Sequence, residues 1–277
     1  MLGETYCRAG RYREAADLAK NIPSGSPNSA DALMLVGDAC MKLRRMDEAE
    51  KAFLESGRAA PDNAQALRAA GELLIARGKY PEAQKLYSDA VRRMPKEALL
   101  HSGLGLVYGF LGIQDLAVKE SEAAAALSPD KADVLFDLGL TYERLGKREN
   151  AKETFIKVIQ AEPGSTRAYI RLGLLHESEN DLEKALFYYR EAMNAHPDCP
   201  FAPCHMASVH AKRQELEEAK KYLEKAVAIE PGLIDAQHNL GVVLYLQGNI
   251  EAAKKQQTLL GDLDKASAEE LMKIIYD

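Results

Sequence analysis

The sequence predicts an all-α fold, an α-solenoid of stacked helix pairs, and three columns of residues predict it. Glycines stand at Gly3, Gly37, Gly71, Gly105, Gly139, Gly173 and Gly241, spaced by 34 residues or a multiple of 34, with Ala207, also small, in the remaining place. Twelve residues beyond each comes an alanine: Ala15, Ala49, Ala83, Ala117, Ala151, Ala185, Ala219 and Ala253. A further twelve on stands a proline, at Pro27, Pro61, Pro95, Pro129, Pro163, Pro197 and Pro231. Columns that share one period without insertion or deletion define an internal repeat.

Each element of the repeat follows from its residue types. In the first helix Leu135, Leu138 and Tyr142 lie at i, i+3 and i+7 around Gly139, the spacing of one apolar helix face. The small residue lets a second helix approach closely there. A short turn follows, marked by Gly10, Gly78, Gly112, Gly146 and Gly248, where a residue free to adopt positive φ is wanted. Arg44, Asn180 and Gln214 take that place in the other units. In the second helix Ala151, Phe155 and Val158 lie at i, i+4 and i+7. The recurrent proline lacks an N–H and restrains its predecessor, so it ends the pair and sends the chain into the next.

Leu138, Gly139, Tyr142, Gly146, Ala151, Phe155 and Pro163 together resemble the signature of the tetratricopeptide repeat. The resemblance extends over nearly the whole chain. It implies a right-handed superhelix whose first helices line a concave groove, each pair burying an apolar face that it could not bury alone. In the family register seven repeats run 30–63, 64–97, 98–131, 132–165, 166–199, 200–233 and 234–267. Residues 1–29 are then a truncated N-terminal repeat and 268–277 a C-terminal capping helix. Met1 falls at the sixth position of its repeat, so the open apolar end there predicts either further repeats upstream or self-association through it. At the other end Ser267 precedes Glu270 at capping-box spacing, which predicts a helix over 268–276 with Leu271, Ile274 and Ile275 on one face.

Composition excludes several functions. Of 277 residues, 47% are apolar, with only 19 glycines and 11 prolines, a balance that suits a folded, helical chain. Membrane insertion is not expected, because no run approaches the roughly 18 apolar residues that a spanning helix needs. With 36 basic residues scattered among 42 acidic ones and a net charge of −6, there is no basic stripe to meet nucleic acid. The four cysteines are too few and too unevenly spaced for a disulfide framework. Compartment is left open, with the cytoplasm as default.

The expected function is a protein–protein interaction scaffold or adaptor that takes a peptide or helix of a partner in the groove. The alternative is a self-assembling or tethering segment of a larger protein. In the register that the resemblance implies, Leu99, Leu106, Phe110, Phe136, Leu140, Ile170 and Leu174 form an apolar groove centre. Asp137, Glu143, Arg144, Arg167 and Arg171 frame it, with Glu72, Asp133 and Glu177 further out. An apolar stripe with a charged rim suits the apolar face of a helix or extended peptide. Packing between adjacent first helices is the competing role for these side chains. The family's carboxylate clamp is not expected: Arg167 and Arg171 match its basic pair, but Ser102, Leu106 and Asp137 stand where Lys, Asn and Asn are required. The asparagine ladder of sugar-transferase arrays is missing too, since its column reads Leu35, Ala69, Gly103, Asp137, Arg171, His205 and Asn239.

No catalytic, cofactor or metal site is expected. His196, Cys199, Cys204, His205 and His210 are ligand types, but no close CxxC or HExxH pair anchors them. His176 and His210 take the column of Tyr142 and read as packed histidines, and Pro203 is expected to delay the helix that follows it. Cys199 and Cys204 could form a thiol pair. Glu143 and Glu177 share a column and could act as acid and base, but no nucleophile set, P-loop or dinucleotide motif accompanies them.

Overall fold

In a computed structural model the described residues are 2–17 and 29–276. Among them are seventeen α-helices and no strand. The chain divides into two compact units, Met1–Thr154 and Phe155–Asp277. Unit 1 holds the pairs α1 (Leu2–Arg8) and α2 (Tyr12–Asp17), α3 (Ser29–Lys42) and α4 (Met46–Ala59), α5 (Ala64–Ala76) and α6 (Tyr80–Arg93), and α7 (Ala98–Phe110) and α8 (Gln114–Leu127), followed by α9 (Ala132–Arg144). The boundary falls within α10 (Arg148–Ala161). Unit 2 holds α11 (Thr166–Ser178) with α12 (Leu182–Ala195), α13 (Phe201–Lys212) with α14 (Leu216–Ile229), α15 (Ile234–Leu246) with α16 (Ile250–Leu263), and α17 (Lys265–Tyr276). Pro27 and the end of the first, truncated repeat lie outside the described residues.

Helices pair because the small-residue columns leave notches. A Cβ added at Gly37 would collide with the Phe53 ring, one at Gly71 with Tyr87, one at Gly105 with Ser121, and one at Gly173 with Tyr189. Each of these partners stands sixteen residues after its glycine, on the second helix of the same pair. In the pair α15 and α16 that position is Gln257, and the Gly241 notch is filled instead by Leu271 of α17. The alanine column is equally tight: Ala49, Ala83, Ala117, Ala151, Ala185, Ala219 and Ala253 are 0% exposed, so no larger side chain fits.

All eight turn positions have positive φ, whatever residue occupies them. Gly10, Gly78, Gly112, Gly146 and Gly248 lie at 69–76°, and Arg44, Asn180 and Gln214 at 57–60°. The required backbone thus belongs to the repeat, and a side chain is tolerated there at some cost. Helix α13 begins at Phe201, one place later in the period than α5, α7, α9, α11 and α15, with Pro203 in its first turn, where a missing N–H breaks no hydrogen bond. Helix α17 begins at Lys265, earlier than Ser267 suggested. The Asp264 carboxylate accepts the Ser267 N–H at 2.7 Å, so Asp264 takes the capping role and Ser267 lies in the first turn.

Candidate functional site

In unit 1 the first helices α5, α7 and α9 bring three polar side chains together. Ser102 donates to the Asp137 carboxylate at 2.5 Å, and Arg68 reaches the same oxygen at 3.4 Å while pairing with Glu72 at 2.5 Å. Asp137 is 7% exposed. Burial pushes its carboxyl up to about 6, against the opposing pull of the Arg68 guanidinium and the Ser102 hydroxyl. Nearer the C-terminal ends of α7 and α9, Phe110 stacks on Tyr80 with centroids 4.8 Å apart, and the Arg144 guanidinium lies 3.5 Å from the Phe110 centroid. Gly109 gives the Arg144 stem its room, since a Cβ there would stand 3.2 Å from Arg144 Cδ.

The residues expected in the groove separate by depth. Leu99 and Phe136 are buried, at 5% and 7% exposure, and Leu99 packs with Ala98, Ala124 and Val134. Leu106, Phe110, Leu140 and Glu143 are half-buried, and Arg144 is exposed. In unit 2 Ile170, Arg171 and Leu174 are half-buried and Arg167 is exposed, with Leu174 resting on the cluster around Leu186, Tyr189 and Met206.

Unit 2 has its own polar centre. Glu177 accepts hydrogen bonds from Lys212 at 2.5 Å, from the Tyr189 hydroxyl at 2.7 Å and from Ser208 at 3.3 Å. Burial works to raise the Glu177 carboxyl, but these three donors outweigh it and hold the group below the usual carboxylate range. Tyr189 stacks on His205 with centroids 5.1 Å apart, and burial together with Arg171 lowers the His205 pKa despite Glu177. Beside this centre a cavity of about 360 Å3 opens between α13 and α15, lined by Ser208, Lys212, Asn239, Val242 and Leu246. On the first-helix face of unit 1 a cavity of about 750 Å3 is lined by Tyr12, Asp38, Met41, Lys42 and Glu72. The sequence pattern does not single out Arg68, Tyr80 or Lys212. The only signal for Arg68 is that its column otherwise holds Met34, Ser102, Phe136, Ile170, Cys204 and His238, with no other Lys, Arg, Asp or Glu.

The remaining chemical candidates have other roles. His176 is buried and stacks on Tyr188 at 5.4 Å, and His210 stacks on Tyr222 at 5.3 Å and bonds Glu215 at 2.5 Å. Burial pushes the Cys204 thiol up to about 12, and the four cysteines are free. Among the described residues no three His, Cys, Asp or Glu side chains are grouped to hold a metal ion, and no helix is long and apolar enough to cross a membrane.

Sequence models of the tetratricopeptide repeat match residues 7–73, 68–132, 136–202 and 204–232. No curated protein matches the chain by sequence. Among solved structures, yeast Tom70 is 18% identical, with a TM-score of 0.73 over 99% of this chain and 58% of that one. A tetratricopeptide repeat protein from Parabacteroides merdae ATCC 43184 is 18% identical, with a TM-score of 0.59 over 90% of this chain and 100% of that one. In the APC/C hetero-tetramer Cut9–Hcn1 the matching chain is 18% identical, with a TM-score of 0.62 over 87% of this chain and 48% of that one. At these identities the likeness is one of fold.

Proposed function

Because the chain belongs to the tetratricopeptide repeat family, we propose that it is a protein-interaction scaffold that takes a peptide or helix of a partner protein on the faces of its first helices. The family and fold typically serve as scaffolds without catalysis of their own, and a chain that shares the fold is part of the Cut9–Hcn1 hetero-tetramer. The observation that carries the reading is an asymmetry in unit 1. The alanine column of its second helices is sealed, whereas α7 and α9 pack together and still leave Leu106, Phe110 and Leu140 half-exposed beside the Arg144 cation. Half-exposed apolar groups on a rigid helical face with a charged border are suited to an apolar partner surface. Ile170 and Leu174, bordered by Arg167 and Arg171, offer the same chemistry in unit 2. Leu99 and Phe136 act in this reading as the support behind the edge.

The reading is tested by affinity capture from a native extract with Leu106→Asp/Leu140→Asp and with Ile170→Asp/Leu174→Asp, each checked by circular dichroism. The expected outcome is loss of the partners that the unaltered chain retains, with helicity unchanged. Retention of the same partners by both folded variants would sink the proposal.

A further inference from the structure

Unit 1 also opens on the side of its second helices. Between α4 and α6 lies a cavity of about 710 Å3, floored by Leu54, Leu67, Leu74 and Leu86. The opening has a local cause. Gly57 lines it, in a column that reads Val91, Ala125, Ile159, Met193 and Val227 in the next five repeats and Gly261 in the last, so the side chain that those five carry is missing here. Leu67 fills the notch from below, its Cδ2 3.0 Å from where a Cβ on Gly57 would stand, and is itself buried, so the accessible apolar surface is that of half-buried Leu54 and Leu86. Leu54 occupies a column that in later repeats holds Ser88, Glu122, Ile156, Arg190, Glu224 and Thr258, polar in all but one. This junction has therefore lost bulk at one position and gained apolar surface at another.

The rim is electrically unbalanced. Glu50 is taken up by Arg77 at 2.5 Å and Lys79 at 2.6 Å, and Asp89 pairs with Arg92 at 3.4 Å. Among the described residues Arg58 and Lys85 make no ion pair, and Arg93 donates only to the Asp89 carbonyl at 3.3 Å. Glu82 is the one lining carboxylate left to oppose these three cations. In a chain of net charge −6, a cationic rim around an apolar floor is a local reversal of sign.

We infer that the α4–α6 cavity is a second docking surface, independent of the first-helix faces, whose occupant is an acidic amphipathic segment of a partner protein. Large aliphatic side chains of that segment enter over Leu54 and Leu86, and its carboxylates meet Arg58, Lys85 and Arg93. The volume lies within the roughly 300–1,000 Å3 of built ligand sites, room for more than one side chain. The charge sets the sign of the partner and the leucines anchor it.

The test uses the full chain and a fluorescein-labelled, helix-forming peptide with leucines at i, i+3 and i+7 and glutamates elsewhere, beside a counterpart with lysine for each glutamate. Anisotropy reports affinity, and 13C-methyl spectra report which leucines respond. The acidic peptide is expected to bind, to shift the Leu54, Leu67, Leu74 and Leu86 methyls, and to weaken about tenfold or more in Arg58→Glu/Lys85→Glu/Arg93→Glu, whose altered side chains are all exposed. Equal binding of the two peptides overturns the inference, as does indifference to the charge reversal or a response confined to Leu106 and Leu140. If the peptide fails to bind while light scattering shows an oligomer that the triple variant dissolves, the occupant is a second copy of the chain and the proposal is wrong. Methyl shifts produced by octanoate but not by the peptide would likewise replace it with a small-amphiphile site.

Discussion

Tyr87 in unit 1 and Tyr189 in unit 2 occupy the same column three repeats apart, and both are 0% exposed. Their surroundings differ. Tyr87 lies against two glycines, Gly71 and Gly103, and its hydroxyl donates to the Arg68 carbonyl at 3.1 Å. Tyr189 lies against Gly173, but the counterpart of Gly103 is His205, which stacks on the ring, and the hydroxyl donates to the Glu177 carboxylate. The repeat therefore fixes the aromatic group, and the variable first-helix column decides whether it is sealed by backbone or tied into surface polar chemistry. The carboxylates diverge in the same sense. Asp137 has one hydroxyl donor and a cation at 3.4 Å, too little to offset its burial, whereas Glu177 has three donors, including an ammonium at 2.5 Å.

The largest effect is expected from Tyr87→Ala and Tyr189→Ala, each removing a fully buried ring at a cost of about 3–5 kcal/mol. Because repeat arrays couple through neighbours, hydrogen exchange should show lost protection first in α5–α7 for the former and in α11–α13 for the latter. Uniform loss throughout the chain in both variants would remove the distinction between the two units.

Acidification should separate the units next. The folded-state pKa of Asp137, about 6, lies above its ordinary 3.8. The fold thus favours the neutral form, and that contribution is fully present below the ordinary value and is lost as pH rises through about 6. Unit 1 is expected to be more stable at pH 5 than at pH 7, by up to about 3 kcal/mol across the whole window. Asp137→Asn should flatten that dependence. Glu177 works in the opposite sense: its lowered pKa gives stability that is present above its ordinary value and lost only as pH falls through the lowered one. Hydrogen exchange in α9 and α11, which carry the two carboxylates, at pH 5 and pH 7 reads both, and equal responses in the two helices would contradict the assignment.

The smallest effect is a gain. Gln214 holds φ at 60° in the position that glycine takes in five other turns, so Gln214→Gly should raise stability by about 1 kcal/mol. A thermal melt that shows no increase would mean that the strain is relieved elsewhere.

The positive-φ column was fully legible in the sequence, down to Arg44, Asn180 and Gln214, because backbone geometry recurs with the period whatever side chain it carries. The depth of the site residues was not. A register gives the side of a helix to which Leu99 or Phe136 points, but not how closely the neighbouring helix lies, and that is set by small residues such as Gly103 and Gly105. Asp137 read as a rim charge because its partners come from one and two repeats away, Ser102 and Arg68, and no feature of a single repeat announces such a link. Lys212 escaped for the same reason, since it meets Glu177 from the following repeat.

Leu271 in the Gly241 notch bears on how such arrays can be cut and rebuilt. The pairs at Gly37, Gly71, Gly105 and Gly173 bring their own plugs, so that a 34-residue module of this kind can be exchanged as a unit. The pair α15 and α16 borrows its plug from α17, which makes residues 234–276 a block of three helices that is indivisible for engineering. Moved without α17, that pair would take an unfilled hole to its new position.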